Sequence, residues 1–201
     1  MSRRNTLVSL LVCLGLTVTV AAAAEEAMRM PAPELSGTEV YTATAVVSPE
    51  KGKETSAAVT ITISRLTTED ERQKVAATLK AEGASELRTL LSGMPEHGSI
   101  EFGGETHPIR FAYARNLGGG MRLITLGTDH PLVFVGADGT RTAPKEGYDF
   151  GLVDLTVEGS GKGEGSVAGA AKLKLGPEGG LVVDDFGGNK IRLTSVKKQA
   201  K

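Results

Sequence analysis

Two stretches of this chain alternate with a strict period of two, and they limit the fold more than any other feature. In residues 38–47, Val40, Thr42, Thr44 and Val46 fall on one face, and Tyr41, Ala43, Ala45 and Val47 on the other. A turn around Ser48-Pro49-Glu50-Lys51-Gly52 leads into Ala57–Leu66, where Val59, Ile61, Ile63 and Arg65 alternate with Thr60, Thr62 and Ser64. A β-branched segment with this period is a strand with two distinct faces.

The period then becomes helical. Thr68-Glu69-Asp70-Glu71 fits a capping box, with a hydroxyl at the cap and a carboxylate three residues on. Val75, Ala76 and Leu79 recur at helical spacing; Gly83 interrupts, and Ser85–Leu91 presents Leu87, Leu90 and Leu91. The pattern predicts a helical hairpin over 68–91. Strand patterns resume at Ser99–Phe102, Ile109–Arg115, Met121–Gly127, Leu132–Val135, Phe150–Val157, Ser166–Leu175, Leu181–Asp185 and Ile191–Val196. Most linkers are short and rich in glycine, so neighbouring strands should pair antiparallel. The expected fold is mainly β, an antiparallel sandwich or barrel-like meander of about ten short strands with one helical hairpin. The alternative is a two-layer α+β fold with the hairpin across one sheet.

The N-terminus predicts export. Arg3-Arg4 precede an apolar-to-small stretch from Leu7 to Val20, then four alanines, in the order of a secretory signal, so residues 1–24 read as a cleavable signal peptide. The adjacent arginines also raise the twin-arginine route. A spanning helix needs roughly 20 apolar residues, and Ser9, Gly15, Thr17 and Thr19 dilute this shorter core, so no stable membrane anchor is expected. The expected location is periplasmic or extracellular. Cys13, the single cysteine, lies inside the signal. The mature chain would then be cysteine-free, which excludes disulfides, thiol catalysis and cysteine–metal sites. Without residues 1–24 the formal charge moves from −1 to −3, because Arg3 and Arg4 leave and no acid does. So mild a charge argues against nucleic acid. Residues 25–36 read as a flexible lead-in, 37–196 as one domain, and 197–201 as a basic tail.

Few motifs carry chemistry. Gly159-Ser160-Gly161-Lys162-Gly163-Glu164-Gly165 looks like a phosphate cradle, but no Ser or Thr follows Lys162 and no helix follows the loop. It reads as a turn between strands. Asp149-Phe150-Gly151 copies a kinase triplet without its partners. His97, His107 and His130 all sit at turns, and if these converge they would bind zinc or copper, with Glu96, Glu101, Glu105 or Asp129 supplying an acid. A hydrolase would need two carboxylates flanking a cleft, from Glu101, Asp129 and Asp149. The chain has no tryptophan to stack on sugars.

Arg65-Leu66-Thr67-Thr68-Glu69-Asp70-Glu71-Arg72 with Leu79, and Asp184-Asp185-Phe186-Gly187-Gly188-Asn189-Lys190-Ile191-Arg192-Leu193-Thr194-Ser195-Val196, resemble a group of uncharacterised exported bacterial proteins over most of the mature chain. The resemblance implies an exported domain and assigns no activity. The leading expectation is a non-catalytic binding or structural module of the cell envelope. In its concrete form it carries a small apolar ligand in an internal pocket, or binds another envelope protein through an apolar patch or unpaired edge strand. The alternatives are a metal-binding protein using the turn histidines and a hydrolase with dispersed carboxylates.

Overall fold

The two alternating runs become the first two strands, β1 (Glu39–Val47) and β2 (Thr55–Ile63), paired antiparallel from Glu39 opposite Ile63 to Val47 opposite Thr55. The structure, a computed structural model, describes residues 34–35, 37–47, 54–133, 145–176, 180–187 and 191–200. The predicted signal peptide with Cys13, nearly all of the predicted lead-in, residues 48–53, 134–144, 177–179 and 188–190, and Lys201 lie outside the described residues. Among the described residues, no helix is long and apolar enough to cross a membrane.

The helical hairpin forms α1 (Glu69–Ala81) and α2 (Ala84–Gly93). Both halves of the capping box are made: Thr68 accepts from the Glu71 amide, and the Glu71 carboxylate accepts from the Thr68 amide. Gly83 separates the helices at a φ of 93°, which a side chain would resist. Eight strands follow: β3 (Gly98–Phe102), β4 (Glu105–Ile109), β5 (Phe111–Gly118), β6 (Met121–Gly127), β7 (Phe150–Val157), β8 (Lys162–Leu175), β9 (Leu181–Phe186) and β10 (Ile191–Lys198).

All ten strands belong to one antiparallel sheet in the order β4-β3-β2-β1-β10-β8-β7-β6-β5, with β9 added to the far half of β8. The protein is therefore mainly β, and among the described residues the strand number, the antiparallel pairing and the single helical hairpin are as predicted. The order dictates the shape. Nine strands laid flat would hold β4 and β5 roughly 38 Å apart, yet Arg110 alone joins them, a step of at most about 7 Å. The sheet must roll up. With nine alternating directions the first and last strands point the same way, so the chain runs from β4 into β5 without turning back. No ladder joins β4 to β5, so the roll is not closed by sheet pairing. The edge of β5 is met instead by Thr67, whose N–H donates to the Ala112 carbonyl while its hydroxyl accepts from the Ala112 amide, both at 2.8 Å.

The inside of the roll is filled. Tyr41, Ala43, Ala45 and Val47 turn inward with Val59, Ile61, Ile63, Ile100, Phe102, Ile124, Leu126, Leu155 and Leu193 in one buried cluster. On the outer face, Val75, Leu87 and Leu91 of the helical hairpin pack against Phe111, Phe150, Leu152 and Ala171.

Three predicted boundaries are corrected. Leu132 and Val133 belong to no strand; Leu132 is buried in the interior cluster, with its amide bonded to the Gly169 carbonyl. Residues 128–133 thus cross the inside of the roll, and a Cβ on Gly151 would lie 2.6 Å from Leu132 Cγ. The second correction is β4, which starts at Glu105 where the pattern predicted strand only from Ile109. Pro108 masks it. The His97 amide donates to the Ile109 carbonyl, so Ile109 faces β3 and Pro108 faces away, where a missing N–H costs no ladder bond. Third, β10 runs on to Lys198, two residues past the predicted end at Val196, so the first two residues of the basic tail close the strand as exposed residues.

Candidate functional site

Three places gather chemistry, and the first uses two of the predicted histidines. His107 faces inward from β4, opposite Ile100, and His130 rides on the crossing segment after β6. His107 Nδ1 lies 2.9 Å from His130 Nε2, and His130 Nδ1 lies 2.7 Å from Asp129 Oδ1. The ionised carboxylate only accepts, so His130 Nδ1 donates to it, and a single proton bridges His130 Nε2 and His107 Nδ1. Burial, then the neighbouring His130, pushes His107 below the usual histidine value. Its Nε2 is buried with no hydrogen-bond partner among the described residues. Burial opposes ionisation of Asp129, but bonds to His130 and Ser92 and the Arg110 charge outweigh it and hold the carboxyl low.

His97 is placed apart. It precedes Gly98, which pairs with Ile109, so alternation turns it to the face opposite His107. There it is fully buried, with Nε2 3.5 Å from Glu71 Oε2. Burial, then the Arg65 charge, keeps it neutral, while Glu71 pulls weakly the other way. Glu71 itself is ionised: burial is overcome by the Arg65 guanidinium and the Thr68 amide, which bring it to about 2. Among the described residues, no group of three or more His, Cys, Asp and Glu side chains is arranged to hold a metal ion.

The hydrolase candidates are likewise dispersed. Asp129 is engaged as above, Asp149 lies 3.9 Å from Arg88, and Glu101 is exposed on β3. In the glycine-rich segment only 159–161 make a turn; Lys162–Gly165 already run in β8. The glycines serve the roll. A Cβ on Gly163 would come within 2.1 Å of the Thr156 carbonyl on β7.

The second place is a buried polar cluster that the sequence did not announce. Glu39 is 4% exposed. It accepts from the Tyr41 hydroxyl at 2.6 Å, from Lys198 Nζ at 2.6 Å and from Arg122. Burial alone would raise its carboxyl; the bonds from Lys198, Tyr41 and Arg122 prevail and lower it. Burial and the Glu39 carboxylate push the Tyr41 phenol well above its ordinary value. The cluster borders an open hollow of about 410 Å³ with Thr38, Ser160 and Gln199. Its only sequence signal is an acid and a base in phase with the inward residues of β1 and β6.

The third place is apolar and lies on the outside of the roll. Tyr113, Leu123, Leu181 and Val182, with Arg115, Thr125, Gly176 and Gly180, line a hollow of about 150 Å³ between the β5–β6 hairpin and the start of β9. The Arg72 guanidinium lies 4.6 Å over the Tyr113 ring and braces one wall. Leu117 and Met121, near the tip of the β5–β6 hairpin, are exposed by 42% and 41%. The strands of that hairpin line the hollow. Comparison with protein-family models, with curated proteins and with solved structures finds no match.

Proposed function

We propose that this protein is an exported, non-catalytic binding module of the cell envelope, and that it recognises another envelope protein through the outer face of its β5–β6 hairpin. The observation carrying this reading is the 150 Å³ apolar hollow together with exposed Leu117 and Met121 on the same hairpin. A hollow of that size takes a single ring or a short aliphatic branch, well below the roughly 300–1,000 Å³ of a site that engulfs a small-molecule ligand. One anchoring side chain in a pocket, with apolar and polar contacts around it, is how protein interfaces concentrate binding energy. The filled interior supports an outside site over a carrier's internal pocket. The alanine-bounded apolar N-terminus supports export.

Native mass spectrometry of the protein isolated from its own host's envelope, beside a Leu117→Lys/Met121→Lys variant, tests the reading. A polypeptide partner held by the parent and lost from the variant is the expected result. Extra mass removed by organic solvent would replace the protein partner with a small apolar cargo. A bare polypeptide mass from the parent would refute both forms.

A further inference from the structure

We propose that residues 128–133 are a plug held across the roll by a latch of His107 and His130, and that mild acid releases it as a local opening of an otherwise folded sheet. The device is separate from the hairpin surface and does not depend on it. The segment belongs to no strand, yet the wall of the roll is shaped around it. A Cβ on Gly151 of β7 would lie 2.6 Å from both Leu132 Cγ and Thr128 Oγ1, and one on Gly169 of β8 would lie 2.5 Å from the Leu132 carbonyl oxygen. Glycine at both positions leaves the passage open. Three backbone bonds tie the segment there: the Thr128 amide donates to the Gly151 carbonyl at 3.0 Å, the Gly151 amide to His130 at 3.1 Å, and the Leu132 amide to Gly169 at 2.7 Å. The Leu132 side chain fills one place in the interior cluster.

On the β4 side the hold is the 2.9 Å contact between His107 Nδ1 and His130 Nε2. Two rings that share one bridging proton attract, but a second proton has no good place. It lands on His107 Nε2, which is buried with no hydrogen-bond partner among the described residues, or it enters the bridge and sets N–H against N–H. A buried charge without a partner is strongly disfavoured. Burial and then the His130 ring hold His107 below the ordinary histidine value, and the Glu105 charge and the Phe102 carbonyl pull weakly the other way. Asp129 bonds His130 Nδ1, is bonded by Ser92, and faces Arg110 at 3.6 Å, while Arg110 also faces Glu96 at 3.7 Å. Asp129 travels with His130, so its attraction for a charged ring is present in both states. His107 is fixed in β4, whereas His130 is 35% exposed on a segment outside the sheet, so His130 is the half that leaves. Once apart, both rings meet water, where an imidazole takes a proton below about pH 6.5. The released form then binds more protons than the latched one, and acid favours it by up to about tenfold per pH unit for each proton. Above about pH 6.5 that advantage is gone and the latch holds.

The test is amide hydrogen exchange on the full chain between about pH 7.5 and about pH 5.5, read as protection factors so that the intrinsic pH dependence of exchange is divided out. Protection of the Thr128, Leu132 and Gly151 amides should fall below about pH 6.5, by up to about tenfold per pH unit for each proton, while the amides of β1 and β2 keep theirs. The idea is overturned if protection at those three positions is unchanged over the range. It is equally overturned if they lose protection in step with β1 and β2, which would be unfolding of the whole sheet. His107→Gln and His130→Gln each remove one of the rings and should make the fall shallower; a folded variant that keeps the parent's full slope refutes the latch. If His107→Gln fails to fold, the more exposed His130→Gln decides.

Discussion

Replacing Glu39 by glutamine removes one charge from a deeply buried ion cluster and changes almost no volume. The carboxylate is 4% exposed and accepts from Tyr41, Arg122 and Lys198. Removing one partner of a buried pair costs about 3–5 kcal/mol, largely because the opposite charge is left unmatched. Here the cations keep some water, the Arg122 side chain being 17% and the Lys198 side chain 35% exposed. The discounted cost is therefore about 2–3 kcal/mol, or a fall in Tm of about 5–10 °C for a chain of this size. The pH dependence is the sharper test. The native carboxyl is held below the ordinary value, about 4.3 in an unfolded chain. As pH falls, the unfolded state takes the proton first. The stabilisation is thus complete above about pH 4.3 and lost as pH drops through the lower native value. Urea denaturation of both proteins from pH 7 to pH 3 should show a gap of 2–3 kcal/mol at neutral pH that narrows below about pH 4.3. A gap that is absent at pH 7, or that keeps its size down to pH 3, would refute the account of the cluster.

Three further perturbations probe the frame. Gly151→Ala places a methyl 2.6 Å from Leu132 Cγ and Thr128 Oγ1, and should cost about 1–3 kcal/mol. Combined with Leu132→Ala, itself worth about 2–5 kcal/mol, the loss measured in urea should fall short of the sum, because the second change removes the part of the clash that comes from Leu132 and leaves that with Thr128. Thr68→Ala breaks the capping box and should cost about 1 kcal/mol with loss of helix protection in hydrogen exchange at α1. His97 is held neutral by burial and Arg65, so the stability it contributes is present above about pH 6.5 and lost as pH falls from there through its lower native value. In His97→Gln, calorimetry should find that part of the acid-side fall removed.

The sequence was legible where the signal is local. Period-two alternation placed β1 and β2 and even sorted their faces, with Tyr41, Ala43, Ala45 and Val47 turned inward. The capping box at Thr68 and the break at Gly83 are chemistry within a few residues. Legibility failed where one residue answers to distant partners. Leu132 has strand composition, but its place is set by Gly151 and Gly169 on two other strands. Pro108 argued against a strand until the edge position of β4 made its missing N–H harmless. Convergence of His107 with His130, and not with His97, depends on strand register and on a segment crossing the roll. Glu39 meets Arg122 and Lys198 across 83 and 159 residues, and nothing in short-range pattern reports that.

The position of β10 has a consequence for assembly. It lies between β1 and β8, so residues 191–198 are the seam joining β4-β3-β2-β1 to β8-β7-β6-β5. Until that strand arrives, each half presents a long open edge and half of an apolar lining. Such a topology has high contact order and folds slowly, and its incomplete forms are prone to sticking edge to edge. A chain built this way commits to its final shape only when its last strand is inserted, which keeps it threadable until then and makes a short C-terminal truncation far more damaging than its length suggests.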